Sequence, residues 1–183
     1  MSIGIILFIL IIKDILHKIK LRKEFAMNIR TKNLIKNITL PLIVGGVSSL
    51  LTKKSMESFQ SLNQPPPSPP KWLFPVVWTA LYIAMGVAAH LVDMYGGKYE
   101  ETKRAKLFYY LQLGFNFFWT LIFFNLGAYV FALIWIISMW ILILTTAIKF
   151  RSIKPLAGYL FIPYLLWVAF ATYLNAGIAV LNR

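Results

Sequence analysis

The sequence predicts an all-α fold, an integral membrane bundle of five transmembrane helices. Three observations predict it. Of the 183 residues, 59% are hydrophobic and only 14% charged, whereas a soluble domain carries roughly a quarter charged residues. The charges are segregated, leaving several uncharged stretches at or beyond the ~20 residues that cross a bilayer as helix. Those stretches are unbroken apolar runs without the period-two alternation of barrel strands, and a bilayer admits only helices or closed barrels.

The first element is a basic N-terminal extension, residues 1–32. The apolar run Ile3 to Ile12 is too short to span and is interrupted by Lys13 and Asp14. Beyond it, Ile12, Ile15, Leu16 and Ile19 share a helical face, with Lys18, Lys20, Arg22 and Lys23 around the rest. The positive charge follows the apolar run and no small-residue cleavage site is seen, the reverse of a secretory signal. Two readings stand side by side: an interfacial anchor, or an upstream extension that the bundle does not need, Met27 offering a second start.

The bundle itself occupies 33–183. The first span is expected at about 34–52, with Lys36 able to snorkel from its end. Pro41 and the Gly45-Gly46 pair allow a kink or a close helix contact. A loop over about 53–71 follows. Pro65, Pro66, Pro67, Pro69 and Pro70 fall within six residues there, broken only by Ser68. Each proline fixes φ, removes a donor and pushes its predecessor out of the α region, so the stretch is a stiff, extended peptide. Trp72 and Trp78 follow, residue types that settle where apolar core meets headgroups. The second span is about 72–92, and a charged loop with Gly96-Gly97 about 93–106. Residues 107–148 carry no charge and are about twice the length of one span. They are divided at Asn125-Leu126-Gly127 into spans at about 107–124 and 128–148. Lys149, Arg151 and Lys154 make a short basic loop. Pro155 suits the first turn of a helix, and the fifth span runs to about Val180.

Counting Lys36 at the start of span one with the segment before it, fifteen of the nineteen Lys and Arg residues fall before span one, in loop two or in loop four. The positive-inside rule then puts the N-terminus in the cytoplasm, the C-terminus outside and the proline-rich loop outside. An odd number of spans argues against a two-fold inverted-repeat transporter. The net charge of +13 would suggest nucleic acid in a soluble protein. Here the basic residues flank apolar spans, so lipid headgroups are the expected partner and nucleic acid is not.

The residues also bound the chemistry. Asp14, Glu24, Glu57, Asp93, Glu100 and Glu101 all lie outside the expected spans, and no Lys or Arg is central in one. Proton relays, voltage sensors and retinal Schiff bases need such residues. His17 and His90 stand alone and there is no cysteine, so no metal site is expected. No nucleophile–base pair and no phosphate-binding glycine loop is present, so no catalytic residue is expected. What remains is polar and aromatic. Gln112, Asn116 and Trp119 share one helical face, with Phe108 and Phe115 beside them. Tyr164, Trp167, Ala171 and Asn175 share another. Amides are costly in lipid, so both faces should point inward. They serve either as interhelical hydrogen bonds or as the orienting groups of a small-molecule pocket with aromatic walls.

Four segments in order carry a resemblance: P-P-K-W-L-F-P-V-V-W-T-A-L-Y-I-A-M-G (Pro69 to Gly86), Q-L-G-F-N-F-F-W (Gln112 to Trp119), K-P-L-A (Lys154 to Ala157) and I-P-Y-L-L-W-V-A-F-A-T-Y-L-N (Ile162 to Asn175). Together they resemble the TspO/MBR family, the tryptophan-rich sensory proteins and translocator proteins, over about 33–183. The resemblance implies a five-helix bundle, usually a homodimer, in a membrane that here would be a bacterial cell membrane. It implies a ligand cavity under the loop between spans one and two. Family ligands are porphyrins and haem, sterols, and synthetic benzodiazepine-site compounds; no cofactor is required, and a porphyrin or haem is the ligand expected. By motif position Trp72, Tyr82, Asn116, Trp119, Trp167 and Ala171 resemble pocket residues. Gln112 joins them from the same helical face as Asn116, and Pro65, Pro66, Pro67, Pro69 and Pro70 form the lid. The implied function is a receptor or sensor-like protein, with a transporter of the ligand or a porphyrin-degrading enzyme as alternatives. Two departures matter. Where the family's lid often reads W-x-P-P, Pro67 stands at the tryptophan position. The sterol motif of animal members needs a basic residue soon after its aromatic, and after Tyr173 the first is Arg183.

Overall fold

The computed structural model describes residues 2–59 and 62–182, and the side chains of 27–55 and 62–182. The described residues run α1 (Ser2–Phe59), α2 (Leu73–Tyr95), α3 (Tyr99–Thr120), a π-helical turn (Leu121–Asn125), α4 (Tyr129–Ile153), α5 (Pro155–Tyr159) and α6 (Ile162–Leu181). Five stretches among them are long and apolar enough to cross a membrane: Met27–Ser55, Leu73–Tyr95, Tyr99–Asn125, Tyr129–Ile153 and Pro155–Leu181. The all-α bundle of five spans is therefore as expected. The chain divides into two compact units, one ending at Lys36 and one of Asn37–Arg183. In the first, Thr31 Oγ1 donates to the Met27 carbonyl one turn back. The amphipathic face expected at Ile12, Ile15, Leu16 and Ile19 lies outside the described side chains. All that follows concerns the second unit.

Helix ends depart from expectation where charge was taken to end a helix. The charged loop expected over 93–106 is only Gly96–Lys98, because α3 starts at Tyr99. Glu100 and Glu101 occupy its first turn, where the helix dipole favours acidic groups. Charge thus limits how deep a residue sits, and the hydrogen-bonded helix continues through it. Span five is broken between Tyr159 and Ile162. Pro163 has no N–H to offer the Tyr159 carbonyl, and its ring would collide with it. Pro155 opens α5 as expected. The turn after span three is where expected: Leu126 N–H reaches back to Leu121 O at 3.2 Å, closing the π turn, and Gly127 takes φ +59°, a left-handed conformation that glycine adopts freely.

Within this unit α4 packs against α3, α5 and α6. The core runs through Met85, Ala88, Val92, Tyr109, Ile136, Met139, Ile143, Phe150, Phe161, Tyr164 and Val168, all at 1% exposure or less. Its far end is an aromatic plug. Phe150 lies 5.7 Å from Tyr109 and 5.4 Å from Phe161 between ring centres. At that end Asp93 accepts from Lys106 Nζ at 2.6 Å and from Asn37 Nδ2 at 2.9 Å, tying α1, α2 and α3. The helix runs on through Pro41, and of the expected glycine pair only Gly45 is used for close contact. A Cβ on Gly45 would lie 2.0 Å from the Tyr82 ring, whereas Gly46 faces open space.

Candidate ligand-binding site

The site is built on three helices. On α2, Phe74, Trp78 and Tyr82 are spaced four apart, so they rise along one face at about 6 Å per step. On α6, Trp167 and Tyr164 answer them. Phe74 meets Trp167 edge-on at 5.7 Å. Trp78 stacks on Tyr82 at 5.6 Å and meets Tyr164 edge-on at 6.1 Å. The result is a column of five rings that descends from the start of α2 into the bundle.

Amides form the floor of the column. Tyr82 hydroxyl donates to Asn116 Oδ1 at 2.7 Å, and Asn116 Nδ2 donates to the Tyr164 hydroxyl at 3.1 Å. Tyr164 in turn donates to Gln112 Oε1 at 3.1 Å, and Gln112 Nε2 lies 3.8 Å from Met85 Sδ. One turn along α3, Trp119 Nε1 donates to Asn175 Oδ1 at 3.2 Å, and Asn175 Nδ2 donates to the Tyr129 carbonyl at 2.8 Å. The Trp119 ring also stacks on Phe123 at 5.2 Å. Gln112, Asn116 and Asn175 are at most 1% exposed. A buried amide without partners costs free energy, and here each is satisfied by a neighbouring helix. The hydrogen-bonding reading of these faces therefore accounts for the amides by itself, and the aromatic column carries the pocket reading.

Trp167 breaks the pattern. Its Nε1 is buried and has no hydrogen-bond partner, although the ring packs on Phe74 and Phe170. Three other indoles are committed: Trp119 as above, Trp135 Nε1 to the Phe115 carbonyl at 2.9 Å and Trp140 Nε1 to the Leu165 carbonyl at 3.0 Å. Trp167 thus presents a donor beside the upper rings of the column. Nothing in the column is a carboxylate, imidazole or amine, so the site can stack, exclude water and orient an acceptor.

The sequence-predicted residues are distributed as follows. Tyr82, Gln112 and Asn116 meet in one network, and Trp119 joins Asn175 beside it. Trp167 stands at the top of the column, and Ala171 is buried one turn further along α6. Trp72 precedes α2 and is 65% exposed, apart from the network. Pro65 is buried, while Pro66, Pro67 and Pro70 are exposed. Tyr164 lies on the inward face expected of span five, whereas Phe74 and Trp78 are not among the expected pocket residues; the four-residue spacing of 74, 78 and 82 is the signal that points to them. A separate surface groove of about 360 Å³ is lined by Tyr129, Phe131, Ala179 and Asn182 among others, away from the rings of the column.

The model of the TspO/MBR family matches residues 37–181. The chain is 38% identical over 157 residues to the tryptophan-rich protein TspO of Chlorobaculum tepidum, covering 85% of this chain and 99% of that one. It is 39% identical over 122 residues to the tryptophan-rich sensory protein of Cereibacter sphaeroides, 67% of this chain and 75% of that one. It is 35% identical over 118 residues to the human translocator protein, 64% of this chain and 70% of that one. With five helical stretches among the described residues long and apolar enough to cross a membrane, the chain is an integral membrane protein in contact with the lipid bilayer, and it belongs to the TspO/MBR family.

Proposed function

We propose that the protein is a receptor or sensor-like binding protein that holds a flat hydrophobic ligand, a tetrapyrrole such as a porphyrin or haem, against the column of Phe74, Trp78, Tyr82, Tyr164 and Trp167. The observation that carries this reading is the unpaired, buried Nε1 of Trp167 among amides that are all paired. A buried donor without a partner costs about 1–3 kcal/mol, and a ligand carbonyl or carboxylate at the macrocycle edge would recover it. Ring faces supply the stacking surface. The two column tyrosines are committed to Asn116 and Gln112, and the column has no imidazole or thiolate, so the residues fit the macrocycle's face and periphery rather than an iron.

The membrane would be a bacterial cell membrane with the N-terminus inside, and the protein a homodimer as in the family. Two relatives carry the name translocator or sensory protein, which keeps transport as the second reading; flux of porphyrin into sealed vesicles separates it from simple binding. The test of binding is titration of purified protein with protoporphyrin, followed by the porphyrin's own absorbance. Saturable binding that weakens about tenfold or more in Trp167→Ala is expected, from loss of a large apolar wall. Partition into micelles without saturation, identical in the variant, would overturn the proposal.

A further inference from the structure

Between residues 93 and 154 the chain has seven Lys and Arg and three acidic residues, all at the end of the bundle where α4 finishes. The acids take few of the cations. Asp93 accepts from Lys106, and Glu101 pairs with Lys98 at 3.1 Å. Neither Arg104 nor Lys149 has a carboxylate within ion-pair distance among the described residues. Lys149 of α4 instead rests on a ring of α3, its Nζ 5.1 Å from the centre of Phe108. A ring holds an ammonium by its face and takes up none of its N–H groups in ordinary hydrogen bonds, so those donors remain for an anion. Arg104 lies four residues before Phe108 on α3, which puts it on the same helix face one turn nearer the bundle end. Its planar fork matches two oxygens of a phosphate.

The same face of α3 continues as Leu111, Phe115 and Phe118, at helical spacing. Leu111 and Phe118 are exposed, and Phe108 and Phe115 are half-buried. Phe115 stacks at 4.4 Å on Trp135 of α4, and Phe118 meets that indole edge-on at 6.4 Å, so the stripe follows the seam between α3 and α4. From Phe108 to Phe118 the helix rises about 15 Å, one leaflet's share of a hydrocarbon core ~30 Å thick. Two cations at the head and a leaflet's depth of apolar and aromatic surface below them match one lipid molecule.

We propose that Arg104 and Lys149 bind the phosphate of an anionic phospholipid whose acyl chain lies along Phe108, Leu111, Phe115 and Phe118. Contact with a bilayer as such does not distinguish one headgroup from another; this site does. A zwitterionic headgroup brings an ammonium that two cations repel, whereas phosphatidylglycerol brings a net negative charge. The apolar stripe selects a lipid over free phosphate. The site is outside the aromatic column and stands or falls without the tetrapyrrole reading.

The test counts lipids bound to the full chain in detergent by native mass spectrometry, during titration with dioleoyl phosphatidylglycerol or dioleoyl phosphatidylcholine. One phosphatidylglycerol per chain should bind well before any phosphatidylcholine. Each cation near an anionic headgroup contributes about fivefold, so Arg104→Gln with Lys149→Gln should weaken that binding about 25-fold. The control removes the same charge on the other side of α4: Arg151 leans on Tyr159 of α5 at 5.6 Å and Lys154 on Tyr95 of α2 at 4.2 Å. Arg151→Gln with Lys154→Gln should leave the tight phosphatidylglycerol in place. Equal weakening in both double variants would mean diffuse attraction to a basic surface and overturns the site. Equal binding of the two lipids by the unmodified protein overturns it without any variant. Displacement of the lipid by millimolar inorganic phosphate, or equally tight binding of dihexanoyl phosphatidylglycerol, overturns the role of the stripe and with it the assignment to a phospholipid.

Discussion

Asn116→Ala tests whether the floor of the column is held by its hydrogen bonds. Asn116 accepts from the Tyr82 hydroxyl at 2.7 Å and donates to the Tyr164 hydroxyl at 3.1 Å. Removing the amide strands the Tyr82 hydroxyl, on a side chain only 7% exposed, at about 1–3 kcal/mol. The bond to Tyr164 adds about 0.6 kcal/mol, the average for an interhelical hydrogen bond in a membrane protein. Tyr164 keeps its donation to Gln112, so the loss stops there. The expected destabilisation is about 2–4 kcal/mol. Tyr82→Phe alone strands Asn116 Oδ1 instead. The double variant strands neither group at that contact, so it should cost less than the two single changes together by about 1 kcal/mol or more. Equilibrium unfolding in mixed detergent micelles gives all three values. Additivity within about 0.5 kcal/mol would refute the coupling of Tyr82 to Asn116 and, with it, the account of the amides as a bonded network.

Three further outcomes are expected. Trp167→Phe keeps an aromatic wall and deletes an unpaired N–H, so stability should hold or rise while affinity for a carboxylate-bearing porphyrin falls about tenfold, one hydrogen bond's worth; unfolding and titration on the same samples separate the two effects. A reporter fused after Arg183 should lie outside the cytoplasm and one inserted at Gly97 inside, and both on one side would contradict five spans. Pro67→Trp puts an oxidisable indole on the proline-rich segment where the chain has a proline without π electrons, so illuminated porphyrin should lose absorbance faster than in the unmodified protein; equal rates would show that this position does not limit such chemistry.

What was legible in the sequence were features with a local cause. Uncharged runs longer than a bilayer gave the number of spans, and Asn125-Leu126-Gly127 gave the turn, because only glycine takes Gly127's φ at no cost. The helix face shared by Gln112 and Asn116 followed from spacing alone. Helix ends were misread at 93–106 because hydropathy reports membrane depth, while backbone hydrogen bonding continues through Lys103 and Lys106. The break before Ile162 was readable from Pro163 and was passed over. Partner identity was out of reach. Tyr82 and Tyr164 find Asn116 from 34 and 48 residues away, and Asn63 finds Asn182 across 119. Such pairs have no period and no local motif. Nor does sequence disclose which of several tryptophans lacks a partner for its N–H; that depends on which carbonyls neighbouring helices bring within reach.

The two ends of the bundle are built differently, and this bears on binding against transport. At the end where α2 begins, the proline-rich segment is held on α6 by three contacts that involve single side chains. At the other end Tyr109, Phe150 and Phe161 interlock at 1% exposure or less, and Lys106, Asp93 and Asn37 tie the helices above them. Opening the first end breaks a few neutral hydrogen bonds. Opening the second exposes three large aromatic side chains, each worth about 1.5–3 kcal/mol of burial, and parts helices joined by a charged pair. Transport would require both ends to open in turn; binding and release would require only the first. The floor between them is neutral, with no carboxylate or lysine in the amide network to couple a second opening to proton movement. That difference in cost between the two ends supports the proposed reading of a binding protein over that of a carrier.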